Sequence, residues 1–153
     1  MVETLTDNKN RTVSDIRSTL SKAGGNMAES GAVAWQFEQK GVIVVDADTS
    51  EAEDLALIAI DAGADDFETY DGTLHVYSEP NSLENIRSTL TDSEAKVSST
   101  ELSMIPSNTV MLDSKKAIQT LRLLDSLEEL DDVQKVYSNA DFPEEAMDDF
   151  KAG

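Results

Sequence analysis

At 153 residues, 39% apolar and 28% charged, the chain suits one ordinary domain or two small ones and has the composition of a globular protein. It carries 31 Asp and Glu against 12 Lys and Arg, a net charge of −19, which argues against a broad nucleic-acid surface because phosphate contacts need clustered cations. There is no cysteine, so disulfides, thiol nucleophiles and cysteine metal sites are excluded, and no apolar run approaches the ~18 residues of a membrane span.

In chain order, a short strand near Glu3 leads into a polar turn and then a helix. Thr12 is expected to cap that helix, with Asp15 three residues on as a short-armed capping box. Val13, Ile16, Leu20 and Ala23 fall on one face, and Gly24 or Gly25 supplies the left-handed stop. Gly31 to Phe37 reads as an apolar strand, with Trp35 and Phe37 directed into the core.

Gly41 to Val45 is a β-branched run and a buried strand candidate. Ser50 with Glu53 gives a capping-box signature before a helix bearing Ala52, Leu55, Ile58, Ala59 and Ala62, which Gly63 ends. Two strands flank Asp71-Gly72, a strong hairpin signal. Pro80-Asn81-Ser82 opens a helix with Leu83, Ile86 and Leu90 on one face, and a last strand covers Lys96 to Ile105. The order βαββαβ is that of a ferredoxin-like unit.

The flanks complete the picture. After Pro106 come a strand at Asn108 to Leu112, a helix capped by Asp113 or Ser114, and a strand at Val133 to Tyr137. Residues 141–153 are expected to form a short acidic helix. Joined across the middle, the flanks spell βαββαβ again. The expected fold is α+β, two ferredoxin-like units, with residues 42–105 inserted between 1–41 and 106–153. Ile16-Arg17-Ser18-Thr19-Leu20 recurs as Ile86-Arg87-Ser88-Thr89-Leu90, a weak hint of duplication or a coincidence.

Charge is uneven along this plan. Residues 1–41 balance five cations with five anions, residues 42–105 hold two against fifteen, and residues 106–153 hold five against eleven. A solubilising surface, a basic protein partner or salt adaptation would each fit.

Chemistry is sparse. Asp46, Asp48 and Ser50 imitate the start of a calcium loop, but Glu51 and Leu57 stand where such a loop needs glycine and a bidentate acid. His75 is the only histidine and alternates with Leu74 and Val76, which places it on an open sheet face. Asp65-Asp66 reads as a solvated pair in a loop. No catalytic residue, metal or cofactor is expected. The better binding candidates are two loops. Asn8, Lys9, Asn10 and Arg11 put donors at a helix start, a seat for a phosphate or carboxylate. Lys22, Gly24, Gly25 and Asn26 form a second polar loop at the far end of the helix, so the two are not expected to share a site unless a partner spans the domain.

Several stretches together resemble the YebC/PmpR family, which includes the mitochondrial translational activator of cytochrome c oxidase. They are Thr4 to Asp7, Asn8 to Thr12, Ser21-Lys22, Gly24-Gly25-Asn26, Gly31 to Phe37, Lys40-Gly41, Ser103 to Pro106, Asp131 to Gln134, and Val136-Tyr137. The resemblance covers the family's second and third domains and implies an inserted-domain architecture. The lack of cysteine and of a membrane-length apolar run favours a cytoplasmic protein, and the resemblance implies a non-enzymatic regulator of gene expression: a factor that works on the ribosome, its RNA or its proteins, or alternatively a DNA-binding transcriptional regulator. A small-molecule sensing module is the third reading. Members normally begin with a basic helical domain bearing a Gly-His-Ser-Lys-Trp-type motif, which this sequence lacks. Most nucleic-acid contacts are expected from that domain, and no membrane partner is expected.

Overall fold

Val2–Thr4 (β1) opens a computed structural model that describes residues 1–70 and 72–152. Five helices and eight strands, mostly antiparallel, follow one another among the described residues, and the fold is α+β. The chain divides into two compact units: a split unit of residues 1–37 with 106–153, and an inserted unit of residues 38–105.

The inserted unit contains nearly all of a long strand, Phe37–Asp46 (β2), then helix Thr49–Asp61 (α2), strands Asp66–Tyr70 (β3) and Thr73–Ser78 (β4), helix Leu83–Asp92 (α3), and most of strand Lys96–Pro106 (β5). The sheet order is β3-β4-β2-β5, with β4 antiparallel to both β3 and β2. Alternation sets its two faces. Ile43, Val45, Leu74 and Val76 point towards the helices and are fully buried, with Ala52, Ala56, Ala59, Ile86 and Leu90 covering them. Three alanines let α2 lie close to the sheet. The hairpin signal falls partly on Asp71, which lies outside the described residues.

The cap of α2 differs from expectation. Asp48, not Ser50, accepts the Glu51 N–H at 2.9 Å, and Glu51 reaches back to the Asp48 N–H at 3.4 Å. Helix formation therefore starts two residues earlier, where a carboxylate both caps and meets the positive end of the helix dipole. Asp48 of the calcium-like stretch is thereby accounted for.

The split unit begins with β1, which pairs antiparallel with Val133–Val136 (β7). Helix Lys9–Lys22 (α1) follows, and after β5 come Val110–Met111 (β6), helix Ser114–Glu128 (α4), Ala140–Asp141 (β8) and helix Glu144–Ala152 (α5). Asp113 caps α4 by accepting the Lys116 N–H at 2.9 Å. The pair β6 and β8 is parallel and two residues long. Ala146 of α5 is buried and this helix packs on α4.

Two expectations fail in this unit. Asn8, not Thr12, caps α1, accepting the Arg11 N–H at 3.2 Å; Thr12 lies one turn inside the helix and is buried. The expected strand at Gly31 to Phe37 is also absent up to its last residue. Ala32, Ala34 and Gln36 each donate to a carbonyl three residues back, so the segment turns tightly, and β2 starts only at Phe37. The alternation that would have buried both aromatics is lost: Phe37 is buried, but Trp35 is 78% exposed.

Candidate partner-binding surface

The start of α1 brings together residues more than a hundred positions apart. Asp132, in the turn before β7, faces Arg11: Arg11 Nη2 donates to Asp132 Oδ1 at 2.9 Å and Nε donates to Oδ2 at 3.2 Å. Arg11 Nη2 also lies 3.0 Å from Asp7 Oδ1. The Thr12 hydroxyl sits 2.7 Å from Asp132 Oδ2 and 2.7 Å from the Thr6 hydroxyl. Arg11 is thus held in a two-pronged grip whose geometry suits guanidinium and carboxylate. The Asp132 carboxyl is held below its ordinary value, first by the Arg11 hydrogen bond and then by that from Thr12. Arg11 is raised in turn, again chiefly by Asp132.

A helix start attracts an anion; here the Asn8 amide oxygen caps it, and Asp132 supplies a carboxylate against the Arg11 and Thr12 side chains of its first turn. Of the four residues in this loop, Arg11 is committed internally and Asn8 caps the helix, while Lys9 and Asn10 remain exposed. A pH dependence follows. Because the folded carboxyl is depressed, its contribution to stability is present above the ordinary carboxylate range and is lost as pH falls through the lowered value. Asp132→Asn should therefore melt lower than the parent at neutral pH and lose less on acidification. Thermal melts between neutral and strongly acid pH check this; parallel curves would exclude the pair as a source of acid sensitivity.

The second loop closes the other end of α1. Gly24 takes φ +83, the left-handed turn that stops the helix, and the Gly25 N–H returns to the Leu20 carbonyl at 2.9 Å. A 14-residue helix is about 21 Å long, so the loops are well separated. They are nevertheless joined. A groove of about 580 Å³ runs along α1 with Lys9 at one end and Asn26 at the other. Val13, Leu20, Met27, Val33, Phe37 and Leu124 are among its lining. One residue from each loop thus borders a common, largely apolar groove. Lys22, Gly24 and Gly25 lie outside its lining.

Asp132 is the residue that sequence reasoning missed. It stood only within the Asp131 to Gln134 stretch of the family resemblance, and nothing in its local spacing points to a partner at position 11. His75 lies on the less buried face of β4, as alternation required. Among the described residues no group of three or more His, Asp or Glu could hold a metal ion. Asp65 accepts from Lys40 Nζ at 2.9 Å, and Asp66 accepts the Phe67 N–H at 2.8 Å, so these adjacent acids serve separate structural contacts.

Comparison with known proteins is decisive at this point. The family model described as the TACO1/YebC second and third domain matches residues 1–140. The chain belongs to the TACO1/YebC family. It is 49% identical over 150 residues to a protein of Dehalococcoides mccartyi named as a probable transcriptional regulatory protein, covering 98% of this chain and 60% of that one. A protein of Rubrobacter xylanophilus with the same description is 50% identical over 147 residues, covering 96% and 59%. The crystal structure of a conserved hypothetical protein from Aquifex aeolicus superposes with a TM-score of 0.84 at 37% identity, covering 94% of this chain and 60% of that one. This TACO1/YebC chain therefore spans about 60% of the length of these relatives. Its described helices include none long and apolar enough to cross a membrane.

Proposed function

We propose that the chain is the protein-contacting part of a cytoplasmic, non-enzymatic regulator of gene expression that works at the ribosome. The observation that carries this reading is the charge of the inserted unit, sixteen Asp and Glu against three Lys and Arg. Such a surface repels phosphate backbones and attracts basic proteins, and proteins that fold around RNA are basic. The split unit points the same way, since Arg11 is already paired with carboxylates. On this reading nucleic-acid contacts come from the portion of the longer relatives that this chain does not match. The strand order of the inserted unit, with its two crossover helices, supports a ferredoxin-like arrangement, a scaffold that many binding modules share.

A second reading has its own support, because the relatives are named as probable transcriptional regulatory proteins. Direct base readout would then fall to the unmatched portion, since Arg11, one of the four cations on α1, is committed to Asp7 and Asp132. Sucrose-gradient sedimentation of native lysate, with RNase and DNase treatment in parallel, separates the two. Migration with ribosomal particles that RNase abolishes and DNase leaves unchanged is the expected result. Retention near the top, or a shift with DNase alone, overturns the ribosome reading.

A further inference from the structure

The inserted unit buries one face of its sheet under α2 and α3 and leaves the other without a helix of its own. Residues opposite one another on antiparallel strands share a face. Glu68 stands opposite His75, which stands opposite Val44; Asp66 stands opposite Tyr77, which stands opposite Val42; Tyr70 stands opposite Thr73, which stands opposite Asp46. These residues form one side of the sheet, running inward from its edge strand β3.

On the edge strand of that side, one carboxylate gathers two rings. Tyr70 Oη donates to Glu68 Oε2, and Tyr77 Oη donates to the same oxygen at 3.2 Å. The Tyr70 ring meets His75 edge-on, centroids 5.0 Å apart at 84°. Tyr70 is 53% exposed and Glu68 is exposed, so two rings hold an anion in fixed position at the surface. Two phenols orient the charge without cancelling it.

The inserted unit has no cation to spare for this face among its described residues. Lys40 is bound to Asp65 and Glu79, and Arg87 pairs with Glu84. Lys96 begins β5, which the sheet order separates from β3 by two strands. Burial pushes the His75 imidazole below its ordinary value, against the opposing pull of Glu68.

We infer that the exposed edge of this side, along β3, is a docking surface for an arginine-bearing segment of a basic protein, with a guanidinium held between the Tyr70 ring and the Glu68 carboxylate. Charge complementarity selects a basic partner from an inserted unit of net −13. The rings select arginine over lysine: a planar, weakly hydrated cation stacks on an aromatic face and meets a carboxylate through two parallel N–H groups, which an ammonium cannot do. Nucleic acid is excluded as occupant by the acids themselves. The inference rests on the reading of this chain as a protein-contacting module and names the surface used.

Fluorescence anisotropy with a labelled synthetic peptide of alternating arginine and serine tests it on the full chain. Glu68→Gln should weaken binding about tenfold, the scale of one charge-assisted contact. Glu128→Gln, which removes the same charge from the split unit, should change it less than twofold. A lysine-serine peptide should bind more weakly than the arginine one, and the Tyr70 and His75 ring resonances of the unmodified protein should shift on titration. Equal losses in the two variants, unmoved ring resonances, or preference for a single-stranded RNA oligonucleotide over the peptide would each overturn the inference. Ribosomes are absent from this assay, so it can fail while co-sedimentation succeeds, and the reverse.

Discussion

Leu90→Ala is expected to cost about 2–5 kcal/mol of folding stability, a large share of the ~5–15 kcal/mol typical of a domain. Leu90 is fully buried in the last turn of α3, within the cluster of Ile43, Val45, Leu74, Val76 and Ile86. Truncation removes apolar area and leaves a void that sheet and helix cannot both close around, because the backbone at that point is pinned: the Ala95 N–H returns to the Leu90 carbonyl at 3.0 Å. Leu57→Ala, on the exposed side of α2 at 66% exposure, should stay within about 0.5 kcal/mol of the parent. Urea unfolding followed by circular dichroism measures both; equal midpoints would mean that the core does not sit where these residues place it. Leu20 occupies the equivalent place in the repeated pentapeptide, yet it borders the open groove and is only half-buried. Its truncation should cost less than that of Leu90, although the five-residue words are identical.

That pair shows what was legible in the sequence and what was not. Periodicity located α2, α3 and α4 and most of their inward residues, because each helix buries one stripe against something continuous. Alternation located β4 and put His75 on its open side for the same reason. It failed at Gly31 to Phe37. An apolar run specifies a strand only where a neighbouring edge is available to pair with it, and here three consecutive tight turns satisfy the backbone locally instead. Trp35 accordingly lies exposed. The caps went astray by small steps: Asp48 and Asn8 were each a better-placed acceptor than the Ser50 and Thr12 that the patterns favoured.

The candidate site was legible as residue types but not as relationships. Lys9, Arg11, Lys22 and Asn26 are where the chain order puts them, but Arg11 faces Asp132 across 121 positions, a contact that no spacing encodes. The same holds for Glu68 between Tyr70 and Tyr77. Alternation places the first two on one side of β3, whereas the third arrives only through the register of the hairpin. What the sequence conveyed well was net charge, and charge sets the class of partner more firmly than any single residue does.

Gly41→Ala should destabilise the inserted unit by about 1–3 kcal/mol, through crowding and not through backbone strain. A Cβ at this position would stand 2.7 Å from Leu83 Cδ1, 2.8 Å from Ser78 Oγ and 3.0 Å from Leu83 Cβ. The Leu83 tip can swing aside, but its Cβ is fixed by the start of α3, and Ser78 is buried with its hydroxyl donating to the Glu79 carbonyl at 3.0 Å. Gly24→Ala supplies the contrast. Nothing lies within 4 Å of its added Cβ, yet φ +83 makes the substitution cost about 1–2 kcal/mol by conformation alone. Similar totals thus arise from different causes, and a double-mutant cycle with Leu83→Ala separates them: a coupling of about 0.5 kcal/mol or more is expected with Gly41→Ala and none with Gly24→Ala. Absence of coupling at Gly41 would refute the crowding account. Lys40 and Gly41 are among the residues that carry the family resemblance. Lys40 is tied to Asp65 and Glu79, and Gly41 admits Leu83 and Ser78 against the sheet. Both are explained by how the inserted unit closes, which leaves the exposed face of Glu68 and Tyr70, and not this pair, as the place to look for a partner.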